Sequence, residues 1–319
     1  MNAPAAWGAR LHRLDAGQVH YEWNNALAPR LEIDPGDTVV FDTRDAADGY
    51  YSPASTHADV LARGPFRGHP LTGPVRVRGA RPGDVLAVEI LEVVPAASFG
   101  WTQIRPGRGL LPEAEFPKPF LQLWDLSDGT HARMGRDIAV PIAPFPGVMG
   151  TALDAAGGHS TMPPRKNGGN MDIKQLTAGT TLYLPVWVDG ALFSVGDAHA
   201  AQGDGEVCVT AVEMMARATL RFGLEPGRRL AEPQLRTRGP IGAATQGGPC
   251  YATTAHGPDL FASAQQAVRY MIDHLVAERG LSREEAYVLA SVAVDLKISE
   301  IVDAPNWIVS AFLPEAIFV

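Results

Sequence analysis

Glycine and proline interrupt this chain at short intervals, and that punctuation limits its folds more than any other feature. Thirty-three glycines and 26 prolines are spread through 319 residues, between short Val/Ile/Leu-rich runs rather than gathered into a low-complexity linker. Stops of that frequency favour many strands and tight loops over long helices for the first 250 residues. Apolar residues make up 46% of the chain, enough to bury a core in one large domain or two modest ones. Charged residues make up only 19%, below the roughly 25% of an average soluble protein, so much of the chain faces protein rather than water.

The formal net charge of −8 argues against broad nucleic-acid binding, which needs clustered Lys and Arg. No window reaches the roughly 18 uninterrupted apolar residues of a membrane span, and the start, MNAPAAWGARLHRLDAG, lacks the layout of a secretory signal. The two cysteines, Cys208 and Cys250, carry no disulfide framework or Cys-only zinc site. The expectation is a cytoplasmic globular protein without a nucleic-acid or membrane partner.

Residues 31 to 43, LEIDPGDTVVFDT, read as strand, Pro-Gly-Asp turn, strand, and 75 to 94 repeat the arrangement around a second Pro-Gly-Asp. Proline presets φ, glycine takes the positive-φ position and the aspartate bonds the turn backbone. The segment 44 to 73, with Asp45, His57, Asp59, His69 and Thr72, reads as irregular loops, and 95 to 180 reads as loop-rich. Asp189-Gly190, between alternating runs at 181 to 200, is the strongest hairpin signal. On its second strand Ala191, Phe193, Val195, Asp197 and His199 share a face by the two-residue period. A further strand, EVCVTAVEM, starts at Glu206. Beyond 250 the pattern changes: apolar residues from Leu260 to Val276 fall on a helical stripe. Gly280 suits that helix's end, and Ser282 with Glu285 forms a capping box for a second helix reaching about Asp295. The expected fold is mainly β, a β-sandwich or jelly-roll-like core with a small β subdomain. It forms one unit over 1–319, β-rich over 1–250, with a C-terminal helical hairpin over about 259–296 packed on it.

The densest polar cluster lies in GGNMD (168–172) and GDAHAAQGDGE (196–206). A catalytic zinc takes three protein ligands and leaves a position open for water. Asp197 and His199 supply two from one strand face, and Asp172 a third. Glu206 or Asp204, returned by the Gly-Asp-Gly turn, supplies a base or a further ligand. Taken alone, Asp-x-His on a strand is more often a hydrogen-bonded pair than a metal site, and Gly-Asp-Gly is usually only a turn. The concentration of four candidate ligands with Asn170 and Gln202 brings the two readings level. Asp42 and Asp45 follow an apolar strand end and read first as solvated loop carboxylates; His57 and His69 stay undecided. Cys250 with His256 is a weaker nucleophile reading, and Cys208 reads as buried.

GHPLTGPVRVRGARPGDVLAVEILEV (68–93), PFPGVMG (144–150), the run from GGNMD to GDGEV (168–207) and EAYVLASVAVDLKISEIVDAPNWIVSAFLP (285–314) together resemble the acetamidase/formamidase family. The resemblance runs in order from about Asn24 to Pro314. It implies a metal-dependent amidohydrolase of β-rich fold that cleaves the C–N bond of small linear amides to a carboxylate and ammonia, often as a homodimer or higher homo-oligomer. Its matching polar positions are Asp172, Asp197, His199, Gln202, Asp204 and Glu206. Chemical inference gives the metal, a divalent ion such as Zn²⁺, to Asp172, Asp197 and His199, with Asp204 and Asp45 as additional candidates. Glu206 serves as base, and Asn170 or Gln202 hydrogen-bonds the amide or the oxyanion. The segment 44–67 departs from the family pattern and is a candidate pocket wall. Two alternatives stand beside this reading: a lactam hydrolase on the same scaffold, and a non-catalytic β-sandwich module with a structural Ca²⁺ on Asp172, Asp197, Asp204 and Glu206, a set that His199 does not suit.

Overall fold

The computed structural model describes residues 9–238 and 248–319; residues 1–8, the first part of the segment checked for a signal, lie outside them. The described residues are mostly β. A six-stranded sheet runs in the order Leu11–Leu14, Thr38–Thr43, Ala216–Glu225, Val85–Pro95, Thr181–Pro185, Gln234–Arg236. An eleven-stranded sheet carries Phe193–His199 between Phe145–Gly150 and the pair Leu71–Val77 and Glu213–Met214. The two sheets pack through aromatic side chains. Phe41 and Phe222 from the first meet Phe193 from the second, with ring centroids 6.0 and 5.1 Å from it. All three are fully buried, and edge-to-face contacts of this kind contribute beyond the area they remove from water. This is the expected sandwich-like β core.

Each of the three turns read from the sequence joins the two sheets instead of closing a hairpin. Leu31–Ile33 pairs in parallel with Leu71–Val77 in the large sheet, whereas Thr38–Thr43 pairs in the small one. Leu71–Val77 and Val85–Pro95 are divided in the same way. Across Asp189-Gly190, Thr181–Pro185 pairs with Val85–Pro95, and Phe193–His199 pairs with Phe145–Gly150. The expected hairpin is therefore replaced by a crossing between layers. Two further expectations are corrected. The stretch 95–180 holds seven strands, from Phe99–Ile104 to Gly168–Asn170. EVCVTAVEM is mostly turns, with Glu206 and Val209 at positive φ and a strand only at Glu213–Met214.

The C-terminal helices follow the sequence closely. Leu260–Arg279 starts at Asp259, whose side chain accepts the Ala262 N–H, and stops at Gly280 with φ 67°. Arg283–Ala293 opens with the full Ser282/Glu285 capping box. Both pack on a three-stranded sheet of Cys250–Gly257, Trp307–Pro314 and Asp295–Glu300. Among the described residues no helix is long and apolar enough to cross a membrane.

Candidate active site

Phe193–His199 is a run buried along its whole length, so its three polar side chains, Ser194, Asp197 and His199, are withdrawn from water. Asp197 interrupts the run with φ 55°, a conformation Asp tolerates better than branched residues. Two chain segments are brought against this strand's end. After Gly168–Asn170 the chain clips onto the neighbouring strand, where the Met171 and Asp172 N–H groups both reach the Gly147 carbonyl. Gly147 has to be glycine, because a Cβ there would stand 2.6 Å from Asp172 Oδ1 and 2.8 Å from His199 Cε1. The Gly203–Glu206 turn is pinned from the other side by the second helix, through the Gly203 N–H to the Ser291 carbonyl.

These constraints bring Asp172, Asp197 and His199 together, each with a ligand-type atom within 4.8 Å of the others. His199, Glu206 and Glu213 form a second such set. His199 Nε2 stands 3.7 Å from Asp197 Oδ1 and 3.3 Å from Glu213 Oε2. Gln202 fixes the ring from behind. Its Nε2 donates to the Asp172 carbonyl at 2.7 Å, so its Oε1 is the end 2.8 Å from His199 Nδ1. Nδ1 therefore carries a proton, and Nε2 is the nitrogen turned to the cluster. Both ends of Gln202 are used, which makes it a clamp on Asp172 and His199. Asn170 donates through Nδ2 to the Met162 carbonyl, leaving Oδ1 buried without a partner. The free end of Asn170 is thus an acceptor.

Crowding four carboxylates and one imidazole away from water sets their protonation. Burial raises the Asp172 carboxyl to about 7 against the pull of His199. Burial also raises Glu213 to about 8, and burial together with Asp172 pushes Glu206 well up. Asp197 is buried too, but the imidazoles of His69 and His199 outweigh that and hold it below the usual carboxylate range. For His199 burial is outweighed by Glu213 and Asp197, and its pKa rises. Asp172 Oδ1, Asp197 Oδ1, His199 Nε2 and Glu213 Oε2 nevertheless lack any hydrogen-bond partner. Unpaired buried groups of this kind cost about 1–3 kcal/mol each. Four of them, with N and O donors spread over the two sets that share His199, match what a divalent cation takes as ligands.

Two residues escaped the sequence reading. Glu213 sat unremarked in an apolar run, and a lone Glu in VCVTAVEMMA was the available signal. His69, left undecided, is buried with Nε2 3.6 Å from Asp197 Oδ2. Other candidates lie elsewhere. Asp204 faces Lys174 at 3.8 Å and Gln175 at 3.4 Å, and its N–H is bound by Asp295. Asp45 is buried in its own turn, accepting the Ala47 and Gly49 N–H groups. Asp42 pairs with Arg13 and Arg217, and His57 stacks on Phe120 while accepting the Leu121 N–H. Cys250 is exposed and shares a strand with His256.

The acetamidase/formamidase family model matches residues 10–156 and 152–319. The chain belongs to that family. It is 29% identical to the formamidase of Methylophilus methylotrophus, over 95% of this chain and 90% of that protein. It is 27% identical to the acetamidase of Mycolicibacterium smegmatis, over 59% and 61%. Among solved structures, the gamma lactamase from Delftia acidovorans superposes with a TM-score of 0.86 at 26% identity, covering 94% of this chain and 89% of that one. An acetamidase from Bacillus halodurans gives 0.67 at 33% identity, covering 94% and 96%.

Proposed function

We propose that this member of the family is a metal-dependent amidohydrolase that splits small linear amides into a carboxylate and ammonia. The observation that carries the reading is the set of four buried, unpaired ligand atoms on Asp172, Asp197, His199 and Glu213. Asp172, Asp197 and His199 would hold the ion. An imidazole at the centre of the set, with Asp204 turned to Lys174, favours a zinc-type ion over calcium. When bound, such an ion supplies Lewis-acid activation of the attacking water and of the amide carbonyl.

The rest of the chemistry falls to the chain itself. Gln202 keeps His199 in the tautomer that offers Nε2 and ties the ring to the Asp172 backbone. Glu206, beside Asp172 and away from bulk water, takes a proton from the attacking water and returns it to the departing nitrogen; burial and the Asp172 carboxylate raise its affinity for that proton. Asn170 Oδ1 accepts an N–H of the substrate amide, an interaction the ester analogue lacks.

Ammonia release from formamide and acetamide, measured with and without exhaustive chelation, tests this reading. Turnover that chelation abolishes and Zn²⁺ restores is the expected result. Full activity in metal-free protein, or no hydrolysis of any amide, refutes it. The overlap with the Delftia gamma lactamase favours γ-lactam ring opening as the second reading, and the same panel should include a five-membered lactam.

A further inference from the structure

His69 and Thr161 stand outside the ligand set, yet their geometry is directed at it. The Thr161 hydroxyl oxygen lies 2.8 Å from the His69 backbone N and 3.1 Å from His69 Nδ1. Both side chains are buried. The backbone N–H can only donate, so Thr161 Oγ1 accepts it. The hydroxyl's own hydrogen is then available for Nδ1, and this leaves the ring proton on Nε2. Nε2 faces Asp197 Oδ2 at 3.6 Å, while Asp197 Oδ1 faces His199 Nε2 at 3.7 Å. The Asp197 carboxylate is therefore bracketed, with one oxygen turned to the cluster and the other to a second imidazole. Gly68 permits the arrangement: its φ is 117°, and a Cβ there would meet the Tyr21 carbonyl at 2.0 Å and Thr161 Oγ1 at 3.3 Å. The Phe66 ring packs edge-on against His69, centroids 4.9 Å apart, and limits how the imidazole can turn.

We propose that Thr161 and His69 are a positioning pair for Asp197: Thr161 donates to His69 Nδ1, and His69 Nε2–H donates to Asp197 Oδ2, so that Oδ1 is presented to the cation. The proposal rests on the reading of the cluster as a cation site. The 3.6 Å gap is a few tenths of an ångström beyond hydrogen-bond reach, the loose spacing that polar pairs in ligand-free sites close when the ligand arrives. Partners that stand behind a metal's ligands and fix their orientation typically change metal affinity by about 10–100-fold when removed.

The test is titration of the metal-depleted full-length protein with Zn²⁺ by calorimetry and with Co²⁺ by absorption, beside melting curves for every variant. His69→Ala is expected to bind Zn²⁺ about 10–100-fold more weakly with an unaltered Co²⁺ spectrum. His69→Gln, whose amide can donate from near the Nε2 position, should recover most of that loss. Thr161→Val should weaken binding in the same direction, and Thr161→Ser should bind as wild type does. The Thr161 pair decides the matter if His69→Ala fails to fold. Unchanged Zn²⁺ affinity in His69→Ala and Thr161→Val overturns the pair. A Co²⁺ spectrum that loses a nitrogen ligand in His69→Ala overturns it in favour of direct ligation. Wild-type protein that binds neither metal overturns the positioning pair and the functional reading together, whereas wild-type binding with indifferent variants overturns only the pair.

Discussion

One side chain type, the imidazole, has three fates in this chain, and its immediate neighbours decide which. His199 is pushed up by Glu213 and Asp197 despite its burial. His69 is pushed down, because burial outweighs Asp197. His20 is pushed down to about 4 by burial, which its bond to the Glu22 carbonyl only partly offsets. The His20 ring lies between that carbonyl, 2.8 Å from Nδ1, and Ser194 Oγ, 2.8 Å from Nε2, so it is held neutral with the hydroxyl donating. Below the ordinary imidazole value of 6.5 the unfolded chain takes up a proton that folded His20 refuses. His20 therefore costs stability as pH falls from 6.5 to about 4, and nothing more below that. The full penalty is about 3 kcal/mol. Denaturant melts of wild type and His20→Gln at pH 7 and pH 4 should show the variant losing less stability over that interval. Equal losses would show that His20 does not titrate differently on folding. Three residues of the cluster also carry backbone strain: Asp172, Asp197 and Glu206 all hold positive φ, at a cost of order 1–3 kcal/mol each. Such conformations persist only where surrounding contacts enforce them, and here the Gly147 carbonyl and the second helix do so.

At the level of elements, helices were far more legible than strand pairing. The stripe from Leu260, the stop at Gly280 and the Ser282/Glu285 box are local signals, and local hydrogen bonds read them out directly. Pro-Gly-Asp and Asp-Gly also specify local turns correctly, but a turn fixes chain reversal and leaves open whether the flanking strands pair with each other or with different layers. In this fold Thr38–Thr43 meets Ala216–Glu225, a partner almost 180 residues away that no window of sequence exposes. The same limit applied to the site. Asp172, Asp197 and His199 were legible because two Gly-rich motifs carry them. Glu213 and His69 were not, since their approach depends on strand pairing and on a loop held by Thr161. The second helix gives an element-scale prediction. Ser291 Oγ accepts the Cys208 N–H and donates to the Thr210 carbonyl, bracing the stretch between Glu206 and Glu213. Ser291→Ala strands both buried groups and should cost about 1–3 kcal/mol. Amide turnover should fall at temperatures where the variant is still fully folded, because both glutamates lose a support. Thermal melts with turnover measured well below the midpoint check this. A variant that loses stability yet keeps full turnover would confine Ser291 to folding.

The molecule as a whole couples its site to its fold, because the cluster exists only when distant parts of the chain have assembled. His69 lies just before the Leu71–Val77 strand, Asp172 follows Gly168–Asn170, and the His199 strand lies between them. The Glu206 turn is anchored on the C-terminal helix. No fragment of this arrangement presents three ligands by itself, so an unfolded chain offers a cation only scattered weak contacts. A cation that binds the folded form alone stabilises it by mass action, by about 2.7 kcal/mol at a hundredfold excess over its dissociation constant. Spread over a chain of this length, that is a rise in melting temperature of about 4 °C. Metal-stripped protein should accordingly melt lower than protein given Zn²⁺, with a midpoint that climbs with the logarithm of free Zn²⁺. His199→Ala should remove the dependence by deleting the one nitrogen donor in both ligand sets. Mg²⁺ at the same concentration should shift the midpoint less, since an imidazole-centred set suits it poorly. A midpoint indifferent to Zn²⁺ in protein that still hydrolyses amides would mean that the buried carboxylates are held by protons alone, and that the four unpaired atoms serve the substrate.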